Sequence, residues 1–159
     1  MNNETKLTRS FAGYVAALLF FGVGAITTLG IDWYSTLTLP WWTPSEQFVA
    51  FVWFVLFALT ALSATIFWEQ SAREERSFAS ILILYMENAM LVLLWNYVFF
   101  GMHNLTVAFG IAMIIGVLVI VLMVKLWNEV RLAALLLAPY LAWMCVALPL
   151  TYQLMVLNP

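Results

Sequence analysis

The sequence predicts an all-α membrane protein, a single bundle of five transmembrane helices within residues 1–159, on three observations. The chain is 65% hydrophobic and 9% charged, whereas soluble domains have roughly 45–50% and 25%. Five apolar stretches of about 20 residues or more are separated by short polar breaks. The positive charges fall in alternate breaks. A soluble chain of this length could not bury so much apolar surface in its own core, so apolar side chains must face lipid.

The five stretches define the predicted helices, over residues 11–30, 48–68, 78–101, 105–127 and 132–157. Each can cross a hydrocarbon core of ~30 Å at ~1.5 Å per residue. Backbone amides in lipid must bond within their own segment or in a closed barrel, and these runs are too long for barrel strands. We expect the first stretch to be a retained helix rather than a cleaved signal peptide.

The positive charges also predict the orientation of the bundle. They all lie at the amino terminus, between stretches two and three, or near the break between stretches four and five: Lys6, Arg9, Arg73, Arg76, Lys125 and Arg131. The other connections carry none. In a membrane where positive charges stay on the cytoplasmic side, such as the bacterial membrane that we expect, this pattern predicts a cytoplasmic amino terminus and a carboxyl terminus on the opposite side. A net charge of −2 without a basic block predicts no binding to nucleic acid.

The first loop, residues 31–47, is unusually aromatic for a connector. It holds three tryptophans, a tyrosine and two prolines. One interpretation is an aromatic belt, because amphipathic rings suit the membrane interface. The other is an ordered lid over the mouth of the bundle, stiffened by Pro40 and Pro44. Both interpretations remain open from the residues alone.

No catalytic motif and no metal-ligand cluster is apparent in the sequence. The chain has one histidine, His103, and one cysteine, Cys145, which we predict to be a small buried hydrophobe. Glu87 lies within the third stretch, where a carboxyl group is costly. We expect it to face the bundle interior, a cavity or another subunit, in either a structural or a functional role.

Three stretches carry stripes of aromatic and small side chains at helical spacing. The stripes are Trp53, Phe57, Thr60 and Ala64; Asn88, Trp95 and Phe99; and Tyr140, Trp143, Ala147 and Thr151. They predict either helix packing or the walls of a flat hydrophobic pocket with a few polar groups. On the fourth stretch, a run of small residues indicates a close helix–helix or dimer contact: Ala108, Ala112 and Gly116.

Three short motifs add a family resemblance. They read Trp33-Tyr34-x-x-Leu37-x-x-Pro40-x-Trp42-x-Pro44, Trp95-x-x-x-Phe99-Phe100-Gly101 and Pro139-Tyr140-Leu141-x-Trp143. Together with Trp53, they resemble the signature of the translocator-protein family, also called tryptophan-rich sensory protein. The resemblance runs from about residue 30 to residue 151 and specifies five helices in the expected places.

The resemblance implies a membrane receptor or sensor, often a homodimer, that binds porphyrins such as protoporphyrin IX or haem under the first loop. It implies no required cofactor, and sterols or carotenoids are alternative ligands. The resemblance implies site residues on the first loop and on three helices, and polar side chains on two of these helices would orient the ligand. The full set of expected site residues is Tyr34, Trp42, Pro44, Trp53, Asn88, Trp95, Asn96, Tyr140, Trp143, Ala147 and Thr151.

The resemblance leaves two alternative functions open. One is light-dependent breakdown of a bound porphyrin, in which Trp53 and Trp143 would be the reactive side chains. The other is transport of porphyrins or sterol-like lipids, with Glu87 as a proton-coupled acid.

The chain departs from the family pattern near the expected site. Leu39 stands where a lysine is common, and Val92 and Thr151 stand where asparagines are common. Gln47 and Ala50 replace a tryptophan and a proline. No basic residue follows Tyr152, so the usual sterol-recognition pattern is missing. The resemblance therefore does not by itself identify the ligand.

Overall fold

A computed structural model describes residues 22–28, 30–71 and 76–159. Helix α1 comprises residues 22–28 and 30–34, and the later helices are α2 Glu46–Gln70, α3 Arg76–Asn96, α4 Leu105–Glu129, α5 Arg131–Leu136 and α6 Ala138–Leu157. Four spans in this part are long and apolar enough to cross a membrane: Glu46–Gln70, Ser77–Gly101, Leu105–Glu129 and Arg131–Leu157. The prediction of an all-helical, multi-pass membrane protein is confirmed. Residues 11–21 of the first predicted helix lie outside the described residues.

Helices α2 and α4 extend beyond the apolar stretches that predicted them. Ser45 precedes α2, and its hydroxyl accepts a hydrogen bond from the Phe48 amide at 3.3 Å. Asn104 caps α4 in the same way, since its side-chain oxygen accepts from the Val107 amide at 3.0 Å. Such caps satisfy amides that have no partner in the first turn. The apolar stretch located the start of α4 at residue 105 but not that of α2, whose first two residues, Glu46 and Gln47, are polar.

The third predicted helix ends in a wide π-helical turn, Tyr97–Gly101. The Met102 amide donates to the Tyr97 carbonyl at 3.0 Å, five residues back. His103 then adopts φ 55°, a left-handed conformation that reverses the chain into α4. The turn therefore brings the end of α3 and the start of α4 together beside the first loop.

The prediction of one continuous helix over residues 132–157 is wrong, because α5 ends at Leu136 and α6 begins at Ala138. Pro139 has no amide hydrogen, and in a continuous helix its ring would clash with the Leu135 carbonyl. The Leu137 amide instead donates to the Ala134 carbonyl at 3.1 Å, in a tighter turn. The break redirects the chain at the end of the bundle away from the first loop.

A buried chain of hydroxyl groups stabilises this break. The Ser63 hydroxyl donates to the Ala133 carbonyl at 2.6 Å, and its oxygen lies 2.6 Å from the Tyr85 hydroxyl. Because the single serine hydrogen is used at Ala133, the Tyr85 hydroxyl must donate to Ser63. These bonds connect α2, α3 and α5 around a carbonyl that the tighter turn leaves without a helical partner.

The run of small residues on α4 packs inside the bundle. Ala108 and Ala112 are buried, and a Cβ at Gly116 would lie 3.7 Å from Met144 Cε of α6. Of the two alternatives left open, this run therefore makes a helix–helix contact within the chain. The prediction that Cys145 is buried is wrong: it is exposed, on the outer face of α6.

Candidate ligand-binding cavity

A cavity of about 290 Å³ lies between α1, α2, the end of α3 and α6, next to the first loop. Ligand pockets usually measure ~300–1,000 Å³, so this one is at the small end of that range. Eight of the eleven site residues expected from the sequence line it: Tyr34, Pro44, Trp53, Trp95, Asn96, Trp143, Ala147 and Thr151. Three helices that are distant in the chain therefore bring the expected residues together.

The other three expected residues, Trp42, Asn88 and Tyr140, lie outside the lining. The Trp42 indole donates to Gln153 Oε1 at 2.9 Å, which connects the loop to α6. The Tyr140 ring is buried behind Trp53, in edge-to-face contact with a centroid distance of 6.2 Å. Asn88 is buried and faces Tyr140. These three side chains support the wall and the lid rather than form the cavity surface.

Aromatic rings form most of the cavity wall. Trp95 stacks on Phe99 with centroids 4.9 Å apart, and Phe99 contacts Phe100 at 4.7 Å. On the α2 side, Trp53 lies 5.5 Å from Phe57. Because these rings contact one another in offset and tilted geometries, their orientations are fixed before any ligand enters. Such a surface suits a flat, apolar molecule.

The first loop is attached to the bundle on two sides. Where the loop begins, Trp33 at the end of α1 stacks on His103 with centroids 4.2 Å apart and an interplanar angle of 15°. At the other side, the Thr38 amide donates to Asn158 Oδ1 at 2.8 Å, and Asn158 Nδ2 donates back to the Thr38 carbonyl at 3.2 Å. Trp41, 95% exposed, is the loop tryptophan placed to meet the interface. These contacts favour the interpretation of the loop as an ordered lid.

The polar groups of the cavity differ in whether they are already paired. The Thr27 hydroxyl of α1 lies 3.1 Å from the Asn96 oxygen and 2.8 Å from the Val23 carbonyl, so its single hydrogen is shared between two acceptors. The Thr151 hydroxyl donates to the Ala147 carbonyl of its own helix at 2.8 Å. By contrast, the indole nitrogens of Trp95 and Trp143 are buried and have no hydrogen-bond partner. Neighbouring atoms cover these two nitrogens, so the polar groups on the cavity surface are those of Thr27, Asn96, Thr151 and the residues at the opening.

The cavity opens beside α1 and the first two turns of α2. Its exposed lining residues are Gly24, Ile31, Glu46 and Ala50. Glu46 contributes the one charged side chain among the described residues that line the cavity. Partial burial, and secondarily the Glu46 carboxylate, raise the pKa of the Tyr34 hydroxyl. Tyr34 thus remains a neutral donor next to a carboxylate at the opening.

Sequence reasoning missed the contribution of α1 and the charge at the opening. Val23, Thr27 and Ile31 recur every four residues, a spacing that marks one face of a helix and could have indicated a third wall. Leu150 and Leu154 continue the α6 stripe by the same rule. No pattern distinguished Glu46 from an ordinary residue in a first helical turn. Among residues 22–28, 30–71 and 76–159, no group of three or more His, Cys, Asp or Glu side chains could hold a metal ion.

The fold and the cavity define a class, the multi-pass helical membrane proteins with an aromatic cavity between their helices. The model of the TspO/MBR family matches residues 12–157, and the chain belongs to this family. It is 31% identical over 127 residues to the tryptophan-rich sensory protein of Cereibacter sphaeroides, covering 80% of this chain and 77% of that protein. It is 31% identical over 155 residues to the uncharacterized membrane protein YtaB of Bacillus subtilis, covering 96% and 98%. It is 29% identical over 136 residues to the translocator protein of Ovis aries, covering 85% and 80%.

Proposed function

We propose that this protein is a membrane receptor that binds a flat hydrophobic ligand, in the first instance a tetrapyrrole such as protoporphyrin IX or haem. The observation that carries the proposal is the cavity lined by Trp53, Trp95 and Trp143 beside the first loop. Ring stacking and burial of apolar surface would supply most of the affinity. Asn96 and Thr151, which line the cavity, would orient the polar edges of the ligand. Membership of a family whose members bind porphyrins supports the same ligand class.

We also propose the wider architecture in which this site would operate. The chain would be a single five-helix domain, with the first helix over about residues 11–30, as in its family. The amino terminus would be cytoplasmic, since the described basic side chains, Lys125 and Arg131, lie at the end of the bundle away from the loop. The opening of the cavity would then face the opposite side of a bacterial membrane.

The decisive experiment is a titration of the purified protein with protoporphyrin IX, followed by the absorbance of the porphyrin. We expect saturable binding at micromolar or lower concentration. Replacing Trp53 and Trp143 together by Ala should raise the Kd at least about tenfold, because each ring contributes ~0.5–1.5 kcal/mol beyond its buried area. Replacing both by Phe keeps an aromatic ring at each position and should cost less.

The matched control replaces two tryptophans outside the cavity, Trp41 and Trp127, which are 95% and 48% exposed. This pair should leave the affinity unchanged. Equal affinity in the wild type and in a folded Trp53/Trp143 variant would refute the site. Absence of saturable binding would refute the tetrapyrrole and direct the titration to sterols or carotenoids.

Light-dependent breakdown of the bound porphyrin is a second candidate function. Trp53 and Trp143 both line the cavity, so two indoles would lie against a bound macrocycle. Illumination of the complex tests this: decay of the porphyrin spectrum no faster than in detergent alone would exclude it. Proton-coupled transport through Glu87 has less support, because Glu87 is exposed and lies outside the cavity lining.

Glu87 instead supports a homodimer. It lies about halfway along the span Ser77–Gly101, on an outer face of α3 where Met86 and Met90 are 48% and 68% exposed. A carboxyl group in contact with lipid at that depth is unfavourable. A second copy packed on this face would give each Glu87 a polar partner and cover the exposed methionines.

A further inference from the structure

The loop end of the bundle carries acidic groups at the opening of the cavity. Glu46 lines the cavity and is exposed, and Asp32 is exposed at the end of α1. Of the residues that the structure describes in the cavity wall, none is Lys, Arg or His. The nearest histidine in the fold is His103, whose ring is stacked on Trp33. Charge at the opening is therefore negative and uncompensated within the described cavity.

The described cations lie far from this opening. Lys125 and Arg131 are at the far end of α4, about 20 residues and therefore roughly 30 Å from the turn that precedes that helix. Lys125 donates to the Ser80 hydroxyl at 3.3 Å, so its position at that end is fixed. This separation is nearly four Debye lengths of about 8 Å each in physiological salt, so these charges do not offset Glu46.

The rest of the described cavity wall is uncharged. Apart from Glu46, its described lining residues carry no ionised side chain, and most of them are apolar or aromatic. A flat ligand would therefore bury its apolar face against the rings of Trp53, Trp95 and Trp143. With about 290 Å³ available, the edge of a large flat ligand must extend to the opening beside Glu46.

Resting on the proposed function, we infer that Glu46 makes this cavity select flat ligands whose outer edge is neutral or cationic. Carboxylates at that edge would approach the Glu46 carboxylate in a partly desolvated opening without a cation. The repulsion energy of two like charges at such a site is larger than in bulk water and smaller than in the protein interior. Glu46 is thus a specificity-determining residue, and the preferred tetrapyrrole is one whose acid groups are esterified, amidated or absent.

A matched pair of ligands tests this inference. Protoporphyrin IX and its dimethyl ester share one macrocycle and differ in the two carboxylates. We would measure the Kd of each for the purified protein in a non-ionic detergent at pH 7.5, for the wild type, Glu46→Gln and Glu46→Lys. The quantity compared is the ratio of the Kd of the diacid to that of the diester. Partition of the diester into detergent is the same for every variant and cancels in this comparison.

The ratio should fall about threefold to tenfold in Glu46→Gln, and further in Glu46→Lys, because repulsion is first removed and then replaced by attraction. Glu129→Gln is the matched control: it removes a carboxylate at the far end of α4 and should leave the ratio unchanged. Added salt should lower the ratio in the wild type and have little effect in Glu46→Gln.

The outcomes separate this inference from the proposed function. Saturable binding of both porphyrins with one ratio in all variants overturns the role of Glu46 and leaves the receptor proposal standing. Absence of saturable binding for both compounds in every variant overturns the receptor proposal and, with it, the selectivity derived from it. A fall in the ratio for Glu129→Gln equal to that for Glu46→Gln would also overturn the inference, because the effect would then follow net charge alone.

Discussion

At Gly30 the backbone of α1 lies directly against the end of α3. A Cβ at this position would overlap the carbonyl oxygen of Phe100 and lie 2.9 Å from its Cα. Gly30→Ala should therefore destabilise the folded protein by about 1–3 kcal/mol, since backbone atoms cannot move aside as a flexible side chain does. Thermal unfolding in detergent measures this. Gly110→Ala, where a Cβ would meet nothing within 4 Å, is the control and should be neutral or stabilising.

The bond between Thr27 and Asn96 joins α1 to α3 at the cavity wall. Thr27→Val keeps the shape of the side chain but removes the hydroxyl that lies 3.1 Å from the buried Asn96 oxygen and that is shared with the Val23 carbonyl. We expect a loss of about 1 kcal/mol in the free energy of unfolding, as for other hydrogen bonds between membrane helices. Thr28→Val is the control, because the Thr28 hydroxyl is exposed and bonds only to Ala25 of its own helix. Equal effects of the two changes would contradict this role.

Single residues show where sequence reasoning succeeded at the site. The spacing of Trp143, Ala147 and Thr151 follows from helical geometry, and all three line the cavity. Tyr140 continues the same stripe, yet it lies one layer behind, against Trp53. Helical spacing gives the face on which a side chain lies but not whether a neighbouring helix covers it. Asn88, which is buried near Tyr140, lies outside the cavity lining for the same reason.

At the scale of elements, the first loop depends on the end of α6. Asn158 makes two hydrogen bonds with the backbone of Thr38, at 2.8 and 3.2 Å. Asn158→Ala should increase the dissociation rate of bound protoporphyrin IX about tenfold, because each lost bond is worth ~0.5–1.5 kcal/mol. Stopped-flow displacement measures the rate. The control is Asn128→Ala, whose side chain bonds only to its own helix, at Val124.

An unchanged dissociation rate in a folded Asn158→Ala variant would contradict the lid. It would show that the ligand leaves through the opening beside Gly24 and Ala50 without movement of the loop. A faster rate together with unchanged stability would assign the two bonds to gating.

The helical type of the described spans was predictable because apolar length in a membrane leaves few alternatives. The ends of the helices and their irregularities were harder to predict from the sequence. The π-helical turn at Tyr97–Gly101 contains no proline, and its signal in the sequence is indistinguishable from that of a regular helix. The break at Leu137 could have been predicted, because Pro139 disfavours a continuous helix through the preceding turn. It was missed because hydrophobicity continues through it.

At the scale of the molecule, the exposed face of α3 predicts self-association. Glu87→Leu should weaken the dimer about fivefold to tenfold, because the polar contact across the interface is worth ~1 kcal/mol. Glu87→Gln should retain much of it, since an amide can still pair. Energy transfer between donor-labelled and acceptor-labelled copies in liposomes, at several ratios of protein to lipid, measures the dimer fraction. Met90→Leu keeps the same face apolar and is the control; a dimer fraction unaffected by Glu87→Leu would refute this interface.

The core of the molecule divides into two apolar clusters, one around Phe99 and Trp143 near the loop and one around Phe67 and Leu126 at the far end. The hydroxyl chain of Ser63, Tyr85 and Ala133 lies at the second cluster. The wall of the cavity and the break in the fifth span therefore depend on separate sets of contacts. Changes in the second cluster should therefore lower stability without changing the affinity for a ligand in the cavity.

Glu46 occupies an exposed place in the first turn of α2, after the serine that caps the helix. A substitution there forfeits only a favourable interaction with the helix dipole, roughly 0.3–1 kcal/mol, whereas the aromatic wall is held by mutual contacts. If Glu46 sets the charge preference for the ligand, a substitution at this single position can change that preference while the aromatic wall of the cavity stays the same. Lineages that share this scaffold are free to diverge in ligand faster than in fold.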